Sequence, residues 1–106
     1  VTEFANNMDR LRHTFDLFDE KTHLLQLLER TNQAGGVQVF IGGESEMLPY
    51  DGVSLITAPY TANNVVIGTL GVIGPSRMAY ERVIPLVDVT AKLLSRAMGQ
   101  GLLSSP

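Results

Sequence analysis

The second half of the chain constrains the fold most, because two β-rich segments there are separated by a short turn. Residues 54–60 predict one strand, and residues 65–73 predict a longer one with many β-branched side chains. Residues 61–64 between them are rich in turn formers. Pro59 marks either the end of the first strand or a sheet edge, since proline has no N–H to donate. We therefore predict an antiparallel hairpin.

A Gly-Pro corner then leads into the last helix. Gly74, Pro75 and Ser76 stop the second strand, and Ser76 is the predicted N-cap. Pro85 predicts a kink in this helix unless it lies in the first turns, and Gly99 predicts the helix end. Seven apolar or aromatic residues share one face at helical spacing: Tyr80, Val83, Ile84, Val87, Ala91, Leu94 and Met98.

The first third of the chain predicts two helices. Apolar residues recur at helical spacing over residues 8–33, and the pattern changes phase at residues 19–20. One bent helix is the alternative. Asn6 or Asn7 is the predicted N-cap of the first helix, and the glycines at 35–36 end the second.

Residues 37–41 predict a further short strand, so the expected element order is α-α-β-β-β-α. We predict an α+β fold in which an antiparallel sheet of about three strands packs with helices. We expect the 106 residues to form a single domain, with residues 100–106 as a flexible tail. A three-stranded sheet leaves two edges with unpaired backbone groups. We hypothesise that the chain either dimerises or supplies one half of a larger sheet.

Composition and charge exclude several classes of function. The chain has no cysteine, so it forms no disulfide, thiolate metal site or catalytic thiol. Its net charge of −3 is unlike the concentrated basic surface of a DNA-binding module. No signal peptide is visible, and the longest apolar run, residues 65–73, is too short to span a membrane. We expect a cytoplasmic protein without a membrane partner.

The sequence offers no candidate residues for catalysis, a cofactor or a metal ion. Gly68, Gly71 and Gly74 lack the spacing of a dinucleotide fingerprint, and we expect the first two to admit closely packed helices on opposite sheet faces. His13 and His23 are too far apart along a helix to share a metal. No serine lies in a nucleophile elbow. We therefore predict that the chain is not an enzyme.

Residues 54–60 and, above all, residues 65–80 resemble a known family. Within the second segment, residues 68–80, Gly-Thr-Leu-Gly-Val-Ile-Gly-Pro-Ser-Arg-Met-Ala-Tyr, are similar to the G-T-x-G-V-I-G-P-T-R-M-x-Y string of the HrcA family of heat-inducible repressors. Ser76 replaces the family's threonine and keeps the hydroxyl. The likeness continues through residues 81–87 and, upstream, through residues 24–42. It covers roughly residues 4–98.

The resemblance implies a repressor of three parts: a winged-helix DNA-binding domain, a GAF-like domain, and a dimerisation domain inserted within the GAF-like one. This chain would correspond to the GAF-like part that follows the insertion. The resemblance also implies repression of chaperone operons by the full-length protein, which would reach operator DNA only through the winged helix. Chaperonin is an implied partner that keeps the repressor active.

From these observations we predict a regulatory or interaction domain of a heat-shock repressor. It would pack against the DNA-binding and dimerisation parts of the same protein, within a homodimer. The corner from Gly74 to Arg77 is either a strand stop before a capped helix or a place that attracts an anion. The alternative function is a small-molecule-binding GAF-like sensor with its pocket between the sheet and the last helix. The candidate interaction residues are Gly74, Pro75, Ser76, Arg77 and Tyr80.

Overall fold

Two helices precede a three-stranded sheet, and a longer helix follows it. The computed structural model describes residues 2–99, with side chains from residue 8 onward. This order confirms the predicted α+β class and its α-α-β-β-β-α sequence of elements. The predicted tail, residues 100–106, lies outside the described residues. The elements are α1 (Thr2–Phe18), α2 (Lys21–Ala34), β1 (Gln38–Ile41), β2 (Val53–Ala62), β3 (Val65–Pro75) and α3 (Tyr80–Gly99).

Strand β2 lies in the centre of the antiparallel sheet, whose order is β1-β2-β3. Alternate β2 side chains point to opposite faces. Leu55 packs with α1 and α2, whereas Ile56 packs with α3. Residues 53–58 are all buried, because helices cover both faces. This two-sided burial explains why the β2 sequence is nearly continuous in apolar residues instead of alternating.

The first core cluster lies between the sheet and the α1–α2 layer. It buries Leu27 of α2, Phe40 of β1 and Leu55 of β2. Met47 and Leu48, from the loop that follows β1, belong to the same cluster and are almost fully buried. The loop is therefore anchored in the core, although the sequence of residues 42–46 predicts only a connection.

The second core cluster lies between the sheet and α3. Ile56 and Ala58 of β2 contact Val87 and Ala91 of α3. The two alanines allow the helix and the strand to approach closely. The predicted apolar face of α3 is thereby confirmed, and the helix continues without a break through Pro85.

The ends of the first two helices differ partly from expectation. The break at residues 19–20 and the end of α2 at Gly35, which has a left-handed φ of 71°, are confirmed. Helix α1 begins at Thr2, however, so the prediction that Asn6 or Asn7 caps it is wrong. Both asparagines lie inside the helix.

The hairpin of β2 and β3 is confirmed, with a tighter turn than predicted. Asn63 and Asn64 form a two-residue turn with positive φ angles of 52° and 68°, as a type I′ turn requires. A register shift follows at Tyr60, which pairs with Gly68. Gly68 and Gly71 lie on opposite faces as predicted, but no helix is needed to explain Gly68: a methyl group there would overlap the Tyr60 ring.

Pro59 lies inside β2, so the prediction that it ends the strand is wrong. The amide of Gly42 donates to the Val53 carbonyl, which places the backbone groups of odd-numbered β2 residues on the β1 side. Strand β1 pairs with β2 only as far as Thr57. The missing N–H of Pro59 therefore falls where the β1 ladder has already ended, at a local edge that tolerates proline.

Candidate functional site

The candidate interaction residues meet at the corner between β3 and α3, but the corner differs from the prediction. Strand β3 runs through Pro75, and the Ser76 amide donates to the Gly52 carbonyl at 3.0 Å. Helix α3 begins only at Tyr80, with Ala79 accepting its first hydrogen bonds. The prediction that Ser76 caps the helix is therefore wrong, because its backbone extends the sheet.

A hydrogen bond within the corner fixes its shape. The Tyr80 hydroxyl donates to the Ser76 carbonyl at 2.6 Å. Gly74 is buried, whereas Pro75 and Arg77 are exposed. The Ser76 amide is used within the sheet, which removes one of the donors that the anion interpretation requires. The corner thus presents the Arg77 side chain to solvent on a braced turn.

An apolar cavity of about 190 Å³ lies between the sheet and the α1–α2 layer. Threonine hydroxyls are the polar side-chain groups in its lining. Two of its lining residues are half-exposed, Phe15 at 54 % and Leu24 at 41 %. The lining from the helices comprises Phe15, Phe18, Leu24, Leu27 and Leu28.

One of the two strands that line this cavity, β3, is an edge strand of the described sheet. Thr69, Gly71 and Ile73 of β3 line the cavity. Because the Ser76 amide donates to the Gly52 carbonyl, directly before β2, the even-numbered residues of β3 face β2 and the odd-numbered ones face outward. The same three residues therefore carry outward backbone groups, which no other strand pairs within residues 2–99.

This cavity lies at a different place from the predicted sensor pocket. We expected a pocket between the sheet and the last helix. The apolar cavity lies on the opposite face, against α1 and α2. Between sheet and α3, Ile56 and Val87 are at most 1 % exposed.

The two histidines have structural contacts. His13 Nδ1 lies 3.5 Å from the Asp9 carboxylate, and its ring lies beside that of Tyr50. His23 Nε2 lies 2.9 Å from the Met47 carbonyl, while the ring stacks on Phe18. Across the described part of the chain, no three His, Cys, Asp or Glu residues are grouped to hold a metal.

Sequence reasoning missed the cavity residues of α1 and α2. The sequence places Phe15, Phe18 and Leu24 in the apolar helix stripes of residues 8–33, and nothing in their spacing tells a filled core from a partly open one. A signal was present in Gly71, which leaves space on a face where neighbouring strand positions carry side chains.

None of the helices within residues 2–99 is long and apolar enough to cross a bilayer.

The fold and the cavity define an α+β domain with helices on both sheet faces and an apolar recess beside an edge strand. The family model described as the HrcA protein C-terminal domain matches residues 1–84, so the chain belongs to the HrcA family of heat-shock transcriptional repressors. No solved structure matches the chain.

Proposed function

We propose that this chain is the regulatory or interaction domain of its repressor, and that it packs against the DNA-binding and dimerisation parts of the same protein. The observation that carries the proposal is the coincidence of the outward edge of β3 with the apolar cavity. The chain would then supply one part of a larger, GAF-like sheet. Through this packing it would contribute to repression of chaperone operons by the full-length protein.

The chemistry of the site favours an extended protein segment as the occupant. The outward N–H and C=O groups of Thr69, Gly71 and Ile73 match a neighbouring strand. An apolar side chain from that strand would enter the cavity, and the half-exposed ring of Phe15 would be covered. In this proposal the protein is a cytoplasmic homodimer, operator DNA is bound only through the winged helix, and chaperonin is a further partner.

The corner supplies a second contact in this proposal. Gly74, Pro75 and Ser76 shape the turn, and Tyr80 braces it through its hydrogen bond. The exposed guanidinium of Arg77 is then available to an acidic group on another part of the repressor.

A matched pair of substitutions tests the cavity. Phe15 lines the cavity, whereas Leu25 is equally exposed, at 53 % against 54 %, and is not among the lining residues. In the full-length repressor we expect Phe15→Lys to weaken operator binding after a heat pulse by about tenfold, because a charge at the rim opposes coverage. Leu25→Lys should leave operator binding after the heat pulse close to that of the parent protein. Equal operator binding and heat lability in both variants would reject the cavity as a docking site.

The corner is tested in the same assay with Arg77→Ala and Tyr80→Ala. Each should lower operator affinity after heating. Arg77→Lys, which keeps the positive charge, should retain more operator affinity than Arg77→Ala. If both alanine variants keep the parental affinity and heat lability, these residues have no part in the mechanism. Thermal melts of each variant separate loss of contact from loss of folding.

A small-molecule sensor is the second candidate, and the cavity is the specific observation that favours it. A cavity of about 150 Å³ in another protein binds benzene, and this one measures about 190 Å³. Its lining fits an uncharged, ring-sized compound. Benzene or indole should raise the melting temperature of the chain, and Gly71→Leu should abolish that rise by filling the space. No shift with either compound would count against the sensor.

A further inference from the structure

Helix α3 carries a second apolar surface on the side that faces away from the sheet. Leu86, Val89 and Leu93 are 65 %, 52 % and 56 % exposed. They follow one another at i, i+3 and i+7, the spacing of a helix-pairing seam. At 100° per residue this outer stripe lies roughly opposite Val87 and Ala91, which pack on the sheet.

Both ends of the outer stripe carry a positive charge. Arg82 lies one turn before Leu86, and Arg96 lies one turn after Leu93, both on the same side of the helix and both exposed. The acidic residue nearest the middle of the stripe, Asp88, points further round the helix and pairs with Lys92 at 2.9 Å. The outer stripe therefore combines an apolar centre with cationic ends.

We propose that the outer stripe of α3 binds an amphipathic helix of a separate polypeptide whose apolar seam ends in acidic residues. The apolar centres bury one another, and each arginine meets a carboxylate. A second copy of α3 fits poorly. Antiparallel pairing sets Arg82 against Arg96 of the other copy, and parallel pairing sets each arginine against its equivalent, so both arrangements oppose like charges.

Two synthetic peptides that differ only in charge test this proposal on the whole chain. Each is a labelled helical peptide with leucines at i, i+3 and i+7. One has glutamates a turn beyond each end of the seam, and the other has lysines there. By fluorescence anisotropy at low salt, we expect the glutamate peptide to bind about tenfold more tightly than the lysine peptide. Added salt should reduce the difference.

Variants of the chain assign the binding to the outer stripe. Leu86→Gln with Leu93→Gln should abolish binding of the glutamate peptide. Val65→Gln is the matched control, since Val65 is 63 % exposed but lies on β3. Arg82→Glu with Arg96→Glu should reverse the preference, so that the lysine peptide binds more tightly. All changed positions are exposed, and circular dichroism melts check that each variant folds.

Three outcomes would overturn the proposal. The first is equal affinity for the two peptides, and the second is a glutamate-peptide affinity that the leucine changes leave intact. The third is dimerisation of the chain that Leu86→Gln abolishes, because the occupant would then be a second copy. A preference for the glutamate peptide that reverses with the two arginine changes supports it.

Discussion

The two faces of the sheet are built from one central strand, yet they are packed very differently. On the α3 face, Ile56 and Ala58 meet Val87 and Ala91 with almost no exposure. On the α1–α2 face, the helices leave a cavity of about 190 Å³ beside Gly71. Since β2 serves both faces, the difference comes from its neighbours. The small residues of α3 fit the strand closely, whereas bulky leucines and phenylalanines of α1 and α2 surround Gly71, which has no side chain.

This difference in packing affects both how much each face stabilises the fold and how much apolar surface it leaves accessible to a partner. A filled interface gains dispersion and burial energy but leaves nothing for a partner to occupy. A partly open one gives up some of that energy and keeps apolar surface accessible. We infer that the α1–α2 face, at its cavity, is the one able to accept another segment.

The largest expected effect comes from truncating neighbouring residues of β2 that point to opposite faces. Ile56→Ala should lower the free energy of unfolding by about 4 kcal/mol and Leu55→Ala by about 2 kcal/mol, because Leu55 borders a cavity and loses fewer contacts. Urea unfolding followed by circular dichroism measures both. A cost for Leu55→Ala as large as that for Ile56→Ala would mean that the two faces are equally well packed.

A buried hydroxyl pair gives the next effect. Thr31 of α2 donates to Thr57 of β2 at 3.2 Å, and both residues are at most 1 % exposed. Thr57→Val alone should cost about 1–2 kcal/mol, because it leaves the Thr31 hydroxyl buried without this acceptor. Thr31→Val combined with Thr57→Val should recover most of that loss. A double-mutant cycle in urea checks the coupling, and strict additivity would show that the pair contributes nothing as a unit.

The sequence predicted the helices and strands well, but it predicted only in part how they pair and pack. The break at Asp19-Glu20, the hairpin and the apolar face of α3 follow from local periodicity and turn chemistry, and each is confirmed. The central position of β2 could not be predicted, because Pro59 suggests an end or an edge until the short length of β1 is known.

The candidate site shows the same limit. Ser76 has a hydroxyl that could cap a helix, but its backbone amide donates a hydrogen bond to the carbonyl of Gly52, a residue 24 positions earlier. Local propensity cannot foresee such a long-range bond. The cavity depends on how two helices sit over Gly71, which is again a property of packing and not of any one segment.

Replacing either of two glycines of β3 with alanine should have the smallest effect on the free energy of unfolding. The two changes should have opposite signs. At Gly71, an added methyl would lie 3.5 Å from Leu55 Cδ1 and 3.8 Å from Thr57 Cγ2, which are ordinary contacts. Gly71→Ala should therefore raise the free energy of unfolding by about 0.5 kcal/mol, because alanine restricts the unfolded chain and fills part of the cavity. At Gly68 the methyl would overlap the Tyr60 ring, so Gly68→Ala should lower it by about 1 kcal/mol as the ring is displaced. Thermal melts of the two variants under identical conditions compare them, and a loss of stability in both would show that Gly71 faces a closed surface after all.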